Sequence, residues 1–276
     1  MNAPPKQPHG YQFATGVAER VLLALSRTPG KPDLPAAIEH WNETNALNLP
    51  RQEFQEFDGH LIGKTVIDFG CGGGWQSVAM VQAGAKRVLG VDTNPMCLND
   101  ARSLADRLGI PADRLAFVST LSGGTDRFDL VISQNSFEHF PDPASTLRQI
   151  VSAMHVGGEL FISFGPPWLA PYGSHMHFFT RVPWVNILFP EEAVMRVRSR
   201  FRHDGARRYE DVESGLNKMT VARFERLVHE SGLRCLWKRY RCVKGLNLLQ
   251  ALPRLRELAI NHVSCVLRKE TELPGA

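Results

Sequence analysis

The sequence predicts an α/β fold: a doubly wound, mostly parallel seven-stranded sheet with an N-terminal helical cap and a long insertion after the fifth strand. Three observations support this prediction. Five short apolar runs alternate with helical segments between residues 62 and 165, which is the pattern of parallel strands joined by crossover helices. A cluster of glycines at 70–74 follows the first run. Two apolar runs after residue 232 add a last pair of strands.

The length and composition limit what the chain can be. With 276 residues, 43% hydrophobic and 22% charged, it forms one large domain or one domain with an insertion. No apolar run approaches the ~18 residues of a membrane span, and the polar, proline-rich residues Met1 to Gly10 do not resemble a signal peptide. The five cysteines are scattered without metal-ligand spacing, so we expect a reduced, cytoplasmic protein and no metal site.

Charge is unevenly distributed along the chain. From Arg196 to the C terminus there are 18 Lys or Arg residues against 9 Asp or Glu residues, while the formal net charge of the whole chain is +4. An ordinary solvated surface is one interpretation. The other is attraction to an anionic substrate or to an anionic membrane surface. We do not expect nucleic acid as a partner, because no basic motif with interleaved aromatic residues is present.

Four segments are predicted along the chain. Residues 1–61 form a tail and the helical cap, 62–165 the core of the sheet, 166–217 a substrate loop or lid, and 218–276 the completion of the sheet. Each boundary falls where the periodic apolar pattern changes or where Pro and Gly residues accumulate.

The cap is predicted to contain two helices. Residues 12–26 have helical spacing, and a second helix is expected over 36–47, limited by Pro50. Trp41, Asn42 and Asn45 either line the substrate entrance or are ordinary core and solvated residues. The apolar residues predicted to share the buried face of the first helix are Phe13, Val17, Val21, Leu22 and Leu25.

Residues 64–92 read as strand, glycine turn, helix and strand. The apolar run around Ile67 suits a buried parallel strand, and the glycines after it allow a tight turn and the close approach of a ligand. A helix follows from Trp75 to Ala83, and Arg87–Val91 is the second strand. Asp92 stands at the end of that strand, where an acid can accept hydrogen bonds from both hydroxyls of a ribose.

The glycine pattern indicates which cofactor the turn accepts. A dinucleotide fingerprint would require a third glycine at the position of Trp75. The chain instead has Asp68-x-Gly70-x-Gly72-x-Gly74, in which the acid at the strand end suits a cationic group. S-adenosylmethionine carries an ammonium group and no phosphate, so it fits this pattern better than a dinucleotide does.

This stretch resembles motif I of the class I S-adenosylmethionine-dependent methyltransferases, and Val91-Asp92 resembles their acidic ribose-binding position. The resemblance covers about residues 62–165, and the last strand pair fits the antiparallel ending of that fold. It implies S-adenosylmethionine as cofactor and a small-molecule methyl acceptor. The residues that it assigns to the cofactor in this stretch are Asp68, Gly70, Cys71, Gly72, Gly74, Asp92 and Thr93.

The ends of the third and fourth strands complete the predicted cofactor site. The third strand is expected at 115–118 and the fourth at 128–133. The family often has an acid after the third strand that meets the adenine amino group, but Thr120 and its polar neighbours stand there in this chain. Main-chain groups or Thr120 would therefore hold adenine. Gln134 and Asn135 would approach the methionine end of the cofactor.

Three histidines are candidate general bases. His139 precedes a Pro-Asp-Pro turn, as in the family's loop after the fourth strand, and is either a base or a residue whose hydrogen bond fixes that loop. For His175 and His177 three interpretations are open: a base for a hydroxyl acceptor, structural anchoring of the lid, or a metal pair that lacks a convincing third ligand. The two side chains share one side only if the backbone is extended.

The segment after the fifth strand is longer than a connection requires, which indicates a binding loop or lid. It leaves from the carboxyl end of the sheet, where a methyl acceptor would lie. Its aromatic residues could build an apolar pocket for that acceptor; they are Trp168, Tyr172, Phe178, Phe179, Trp184 and Phe189.

The other elements follow from apolar spacing and from chain breakers. Helices are expected at 95–108, 144–155, 191–202 and 219–231, with an interrupted helix at 246–258. The remaining strands are expected at 159–164, 233–243 and 263–268.

The predicted function is methyl transfer by direct displacement to a small, fairly apolar metabolite. The candidate bases and the aromatic loop favour O-methylation. The alternatives are N- or C-methylation of a lipid or quinone-like acceptor and a non-catalytic S-adenosylmethionine-binding protein, while Trp75 and Asp68 disfavour a nicotinamide-dependent oxidoreductase. Peripheral contact with an anionic membrane is a further hypothesis, based on the basic C-terminal third and the apolar stretch 182–189.

Overall fold

The computed structural model describes residues 16–27, 45–121, 126–212, 215–252 and 255–272. At its centre is one sheet of seven strands, as predicted. These are β1 (Thr65–Phe69), β2 (Arg87–Val91), β3 (Leu115–Val118), β4 (Phe128–Gln134), β5 (Met154–Phe164), β6 (Arg234–Cys242) and β7 (Ile260–Arg268).

The strand order in the sheet is β3-β2-β1-β4-β5-β7-β6. Strands β1 to β5 are parallel, and β7 runs antiparallel between β5 and β6. The order reverses between β1 and β4, so the connections that leave these two strands diverge to opposite sides. That divergence opens a crevice at the carboxyl ends of the strands, where ligands bind in open α/β sheets.

Helices cover both faces of this sheet. The described α-helices are α1 (Val17–Ala24), α2 (Asn48–Glu53), α3 (Phe57–Leu61), α4 (Trp75–Gln82), α5 (Pro95–Arg107), α6 (Pro143–Ala153), α7 (Val185–Leu188), α8 (Glu191–Arg198), α9 (Val221–Glu230) and α10 (Arg256–Ala259). None of the helices in the described part of the chain is long and apolar enough to cross a membrane.

Two apolar clusters hold the helices on the sheet. On one face Leu61 of α3, Val78 of α4 and Leu98 of α5 pack together with Phe161 of β5. On the other face the cluster joins α6 and α9 to the strands, with Phe224 of α9 against the ring of Phe164 at the end of β5. The sheet is therefore buried on both faces over β1, β4 and β5, which explains why these strands read as continuous apolar runs.

A third cluster joins α1 to the segment between β5 and α9. It shows that the buried face of α1 differs from the predicted one. Leu22 is fully buried there among Met176, Phe179 and Val194. The predicted stripe lies mainly outside, since Val17 is 69% exposed and Val21 and Leu25 are also exposed. The helix instead buries Glu19, whose carboxylate pairs with Arg200. Phe13 lies outside the described residues, as do Trp41 and Asn42.

Several predicted boundaries were wrong for identifiable reasons. Residues 36–44 of the predicted second helix lie outside the described residues, and Pro50, which was expected to limit that helix, lies inside the first turn of α2, where its missing N–H is not needed. Strand β5 begins at Met154 rather than at 159, because Phe128 already pairs with Met154 across a register shift. The interrupted helix at 246–258 is a short 3₁₀ turn at Asn247–Ala251 and then α10, with Pro253 outside the described residues.

Candidate cofactor and acceptor site

The glycine turn after β1 is fixed by main-chain hydrogen bonds to β2. The N–H groups of Gly70 and Cys71 both donate to the carbonyl of Val91, at 2.8 and 3.1 Å. Gly70, Gly72 and Gly74 have positive φ angles of 85°, 51° and 80°, which only glycine adopts without strain. A Cβ at Gly72 would meet nothing within 4 Å, so this part of the turn faces open space in which a ligand can approach the backbone.

Asp92 closes the turn from the end of β2. One carboxylate oxygen accepts from the N–H of Gly72 at 2.9 Å, and the other accepts from the N–H of Asn94 at 2.8 Å. Both bonds hold the carboxylate flat against the turn. Each oxygen retains a second lone pair, so the carboxylate can still accept the two hydroxyls of a ribose. The prediction for Asp92 is consistent with this geometry.

Asp68 lies beneath the turn and is almost completely buried. The hydroxyl of Ser77, in the first turn of α4, donates to its carboxylate at 2.6 Å. Burial, together with the charge of Asp92, raises the pKa of Asp68 to about 7, although the Ser77 hydrogen bond opposes the rise. A cation above this carboxylate would restore its ordinary ionisation, which matches the ammonium group of the expected cofactor.

Gln134 and Asn135 lie at the carboxyl end of β4, beside the turn. The side-chain oxygen of Gln134 accepts from Gln76 at 2.6 Å, while its side-chain nitrogen is buried without a hydrogen-bond partner in the described structure. An orphaned buried donor next to the turn fits an anionic group such as a ligand carboxylate. Asn135 has a φ of 49° and is exposed, so its side chain can reach a ligand.

The remaining predicted cofactor residues take different positions. Cys71 is buried in the turn, and burial raises the pKa of its thiol far above the ordinary value, so it contributes main-chain groups and bulk. Thr93 follows Asp92 and is exposed. Thr120 is exposed just beyond the end of β3, on the side of the crevice where adenine is expected. Its role stays a prediction.

Glu138, His139 and His175 meet at the carboxyl ends of β4 and β5. The carboxylate of Glu138 is buried and accepts from the N–H of Gly165 at 3.2 Å, and burial raises its pKa. Nδ1 of His139 lies 2.6 Å from the carbonyl of Gly215. Because a carbonyl can only accept, Nδ1 carries the proton in the neutral ring and Nε2 is the basic nitrogen.

His175 packs against His139, with the two ring centroids 5.3 Å apart. It hydrogen-bonds the carbonyl of Pro166, and burial lowers its pKa to about 4, with His139 contributing. Its Nε2 is buried with no partner among the described residues, so Nδ1 is the atom that donates to Pro166. His175 is therefore neutral at physiological pH.

His177 is separated from this pair. Residues 176–178 form a 3₁₀ turn that begins after His175, whose φ of 56° is left-handed. The helical backbone sends the two side chains apart, and His177 is exposed with its ring against Tyr172. The two histidines thus cannot form a metal pair, and no group of three or more His, Cys, Asp or Glu in the described structure could hold a metal ion.

The aromatic residues after β5 do not line an open pocket together. Phe179 is fully buried in the third cluster, and Phe178 packs against it and under the guanidinium of Arg202. Trp168 meets Tyr209 edge-on, with centroids 4.8 Å apart. These residues mainly form the internal core of the segment, because it is long enough to need a core of its own.

The residues that support the site were not predicted. Ser77 and Gln76 lie in the first turn of α4, where Ser77 hydrogen-bonds Asp68 and Gln76 hydrogen-bonds Gln134. Two adjacent polar residues at the start of a helix that packs on the sheet were the only sequence signal for these contacts. The carbonyl of Gly215 could not have been found, because it is 76 residues from the histidine that it holds.

A cavity of about 420 Å³ lies away from this site. Its walls include Phe54, Trp237 and Phe161 beside Glu159 and Arg268, at the opposite end of the sheet from the glycine turn. It therefore does not belong to the predicted cofactor crevice.

Comparisons with known proteins agree with this geometry. A family model described as a methyltransferase domain matches residues 38–237. Similar curated proteins include ubiquinone biosynthesis O-methyltransferases of Methylobacterium sp. (strain 4-46), 31% identical over 157 residues, and of Aeromonas salmonicida (strain A449), 38% identical over 107 residues. These alignments cover 50% and 38% of this chain and 59% and 44% of the relatives, so the chain spans about half the length of the curated relatives it matches.

Among solved structures, the fold is similar to that of an S-adenosylmethionine-dependent methyltransferase from Mesorhizobium loti. The TM-score is 0.52 at 19% sequence identity, over 81% of this chain and 97% of that chain. At this identity the similarity supports the fold alone.

Proposed function

The chain belongs to the class I S-adenosylmethionine-dependent methyltransferases, and we propose that it methylates a hydroxyl group of a small, fairly apolar aromatic metabolite. The observation that carries this proposal is the pair of acids at the glycine turn, Asp92 against Gly72 and Asp68 beneath it. The names of the curated relatives, which are O-methyltransferases, support a hydroxyl acceptor. Because only about half of the length of these relatives is matched, their acceptor is not assumed for this chain, and the acceptor class is proposed here.

Residues of this chain would hold each part of the cofactor. Asp92 would accept the ribose hydroxyls, Asp68 would face the ammonium group, and the orphaned amide nitrogen of Gln134 would donate to the carboxylate. When bound, S-adenosylmethionine supplies an electrophilic methyl group on its sulfonium sulfur. The task left to the protein is to align an acceptor oxygen with that methyl group, to exclude water and to receive the proton of the acceptor.

We assign the proton transfer to His139. Its Nδ1 is held by the Gly215 carbonyl, so in the neutral ring Nε2 is the nitrogen with the free lone pair that can act as a base. His175, neutral and packed against the His139 ring, is a positioning residue in this proposal. The exposed position of His177 lends no support to a catalytic role for it.

Methyl transfer to catechol, followed by mass spectrometry of the product, tests this assignment. Replacing His139 by Ala should lower kcat by about 100-fold near pH 7, the usual contribution of a general base, and leave the Kd of S-adenosylmethionine unchanged. The loss should shrink as the pH approaches about 10, the ordinary pKa of a phenol, because the acceptor then ionises without help.

His229→Ala is the matched control, since His229 is exposed at the end of α9. A kcat in His139→Ala equal to that of the wild type at pH 7 would exclude His139 as the base. Absence of methylated product from catechol and from its carboxylated analogues, with cofactor bound to the wild type, would instead favour a non-catalytic binding protein.

We also propose peripheral contact with an anionic membrane. Val17, Val21 and Leu25 form an exposed stripe on α1, and Ile187 and Leu188 of α7 are exposed as well. Both helices pack near α8, whose last turn contains Arg196, the start of the chain segment with 18 basic and 9 acidic residues. Apolar side chains beside cations suit a surface with anionic headgroups. The scattered positions of the five cysteines along the sequence support a reducing, cytoplasmic location.

A further inference from the structure

A second cavity, of about 270 Å³, lies at the carboxyl end of β5, next to the acceptor site. Its walls come from the turn after β5, the end of β6 and the start of β7. The residues that line it are Gly165, Pro166, Arg241, Cys242, Asn261 and His262. Nothing in the cofactor site uses these residues, so the cavity needs a separate explanation.

Charge in this cavity is set by a buried network behind it. Glu53, at the end of α2, is almost fully buried and accepts from the hydroxyl of Ser264 at 2.6 Å. Arg239 and Arg241 pair with its two oxygens at 2.8 and 2.6 Å. Burial alone would raise the pKa of Glu53, but these hydrogen bonds and charges hold it below its ordinary value. Glu53 is therefore an anion shared by two cations.

The network of Glu53, Arg239 and Arg241 carries a net positive charge. One glutamate faces two guanidinium groups, which leaves one positive charge unbalanced within the network. His262 adds none, because burial lowers its pKa to about 4. Arg239 is directed towards α2, where it also donates to the carbonyl of Gln52. The unbalanced charge therefore falls on Arg241, which lines the cavity and is 49% exposed.

His262 provides a second polar group at the same place. The residue is only 8% exposed, and its Nε2 lies 3.7 Å from Oε1 of Glu53, so Nε2 faces the buried carboxylate and Nδ1 is the nitrogen near Gly165. Its Nδ1 would lie 2.9 Å from a Cβ placed at Gly165, so only glycine permits the turn to close against β7. The cavity thus combines a cation, the amide of Asn261 and a buried imidazole, with main chain on the side nearest the acceptor site.

The cavity and the proposed acceptor site share one wall. The N–H of Gly165 donates to Glu138, and the carbonyl of Pro166 holds His175. Arg241 lies on β6, three positions from β4 in the sheet, which corresponds to roughly 14 Å between main chains. Its side chain shortens this span, because it extends to Glu53, which also meets Ser264 of β7. A single aromatic acceptor could therefore place its hydroxyl near His139 and its far end beside Arg241.

We propose that Arg241, with His262 and Asn261, forms a subsite for a carboxylate group on the methyl acceptor. A guanidinium matches a planar carboxylate with two parallel hydrogen bonds, and one surplus positive charge matches a monoanion better than a dianionic phosphate. This inference rests on the proposed hydroxyl methylation and narrows its acceptor to an aromatic acid.

The test compares acceptors that differ only in the anionic group. Catechol, 3,4-dihydroxybenzoate and the longer 3,4-dihydroxycinnamate are titrated into protein saturated with S-adenosylhomocysteine, and their methylation is measured in parallel with S-adenosylmethionine. At least one of the two acids should bind the wild type about tenfold more tightly than catechol, as expected for a charge-assisted hydrogen bond. Arg241→Gln should abolish that advantage and leave catechol binding unchanged.

Arg234→Gln is the matched control, because it removes an exposed guanidinium at the other end of the same strand, where Arg234 pairs with Glu270 and touches neither Glu53 nor the cavity. It should keep the preference for the acid. An equal loss in both variants, or a wild type that does not prefer either acid, would overturn the subsite. If catechol is methylated in that case, the subsite alone fails; if no compound binds or reacts, the proposed function fails with it.

Discussion

One buried carboxylate, that of Asp68, is expected to couple cofactor binding to the protonation state of the protein. Its pKa is raised to about 7, mainly by burial and also by the charge of Asp92. The unfolded chain releases this proton near pH 4, whereas the folded chain keeps it until about pH 7. Between these values the folded state binds more protons than the unfolded state does. The free energy of unfolding is therefore highest, as far as Asp68 is concerned, below pH 4, and it falls as the pH rises to 7.

Asp68→Asn should therefore stabilise the protein without cofactor at high pH. The side chain remains neutral and can still accept from Ser77, so the gain in the free energy of unfolding should reach about 4 kcal/mol at pH 8. The gain should grow from pH 4 to 7 and stay constant above that. Chemical denaturation at several pH values measures it.

The same substitution should cost cofactor binding. The variant lacks the charge that attracts an ammonium group, so its Kd for S-adenosylmethionine should rise at pH 8 while it gains stability. Asp100→Asn, exposed on α5, controls for the loss of a surface charge. A stability difference between Asp68→Asn and the wild type that does not change with pH would contradict the raised pKa.

Among single residues, the sequence predicted those expected to touch the cofactor but not those that hold them in place. Asp68 and Asp92 were identified because each follows an apolar run that ends at the same edge of the sheet. Ser77, the Gly215 carbonyl and Glu53 were not identified, since each acts through a partner that only the folded chain brings near. The Glu53 network joins α2 to Arg239 of β6, 186 positions later, and to Ser264 of β7, 211 positions later.

Among the elements, α5 shows how a short sequence signal fixes a helix near the site. Asn94 caps it, with its side-chain oxygen accepting from the N–H groups of Met96 and Cys97 at 3.0 and 3.4 Å. Pro95 occupies the first helical position, where its fixed φ suits the helix. The cap also continues directly from Asp92, so helix start and ribose site share one turn.

Asn94→Ala should destabilise the protein by about 1 kcal/mol, because two main-chain donors lose their acceptor. Asn94→Ser keeps a capping oxygen and should cost much less. Denaturant unfolding measures both. The main-chain N–H of residue 94 donates to Asp92, and this hydrogen bond does not depend on the side chain. We therefore expect the two variants to bind the cofactor with equal affinity. Equal stability of the Ala and Ser variants would contradict the capping account.

Helices and strands were predicted correctly where a single sequence pattern marks them, as in β2 and β3, and less well where apolar spacing alone had to decide which face is buried, as in α1. Strands β2 and β3 were predicted at their observed bounds, because each is a compact apolar run between breakers. The face of α1 was predicted correctly for Leu22 but wrongly for Val17, Val21 and Leu25, which are exposed, and the helix buries Glu19 as well. Apolar spacing identifies an amphipathic helix but cannot say whether its stripe meets protein or another apolar phase.

At the scale of the whole molecule, that exposed stripe and the basic C-terminal third make membrane contact testable. The protein should float with vesicles that contain phosphatidylglycerol and not with pure phosphatidylcholine, and high salt should weaken the association. Changing Val21 and Leu188 to Ser should reduce flotation. Leu248→Ser is the control, because Leu248 is 88% exposed in another part of the chain. Equal flotation with both kinds of vesicle would contradict an electrostatic contribution.

The whole sheet was predictable because its topology follows from the order of strands and helices along the chain. The acceptor was not, because its proposed site lies between a segment with a core of its own and the ends of β6 and β7. Glu138, His175 and Arg241 reach this region from three separate parts of the sequence. No local pattern encodes their arrangement.

The central claim is that the glycine turn with Asp68 and Asp92 binds S-adenosylmethionine. Calorimetric titration of the wild type and Asp92→Asn with S-adenosylmethionine, S-adenosylhomocysteine and NAD tests it most directly. We predict binding of the first two and not of NAD, with affinity lowered at least about tenfold in the variant, which loses an anionic acceptor for the ribose. Binding of NAD alone, or binding of S-adenosylmethionine that does not depend on Asp92, would contradict the claim.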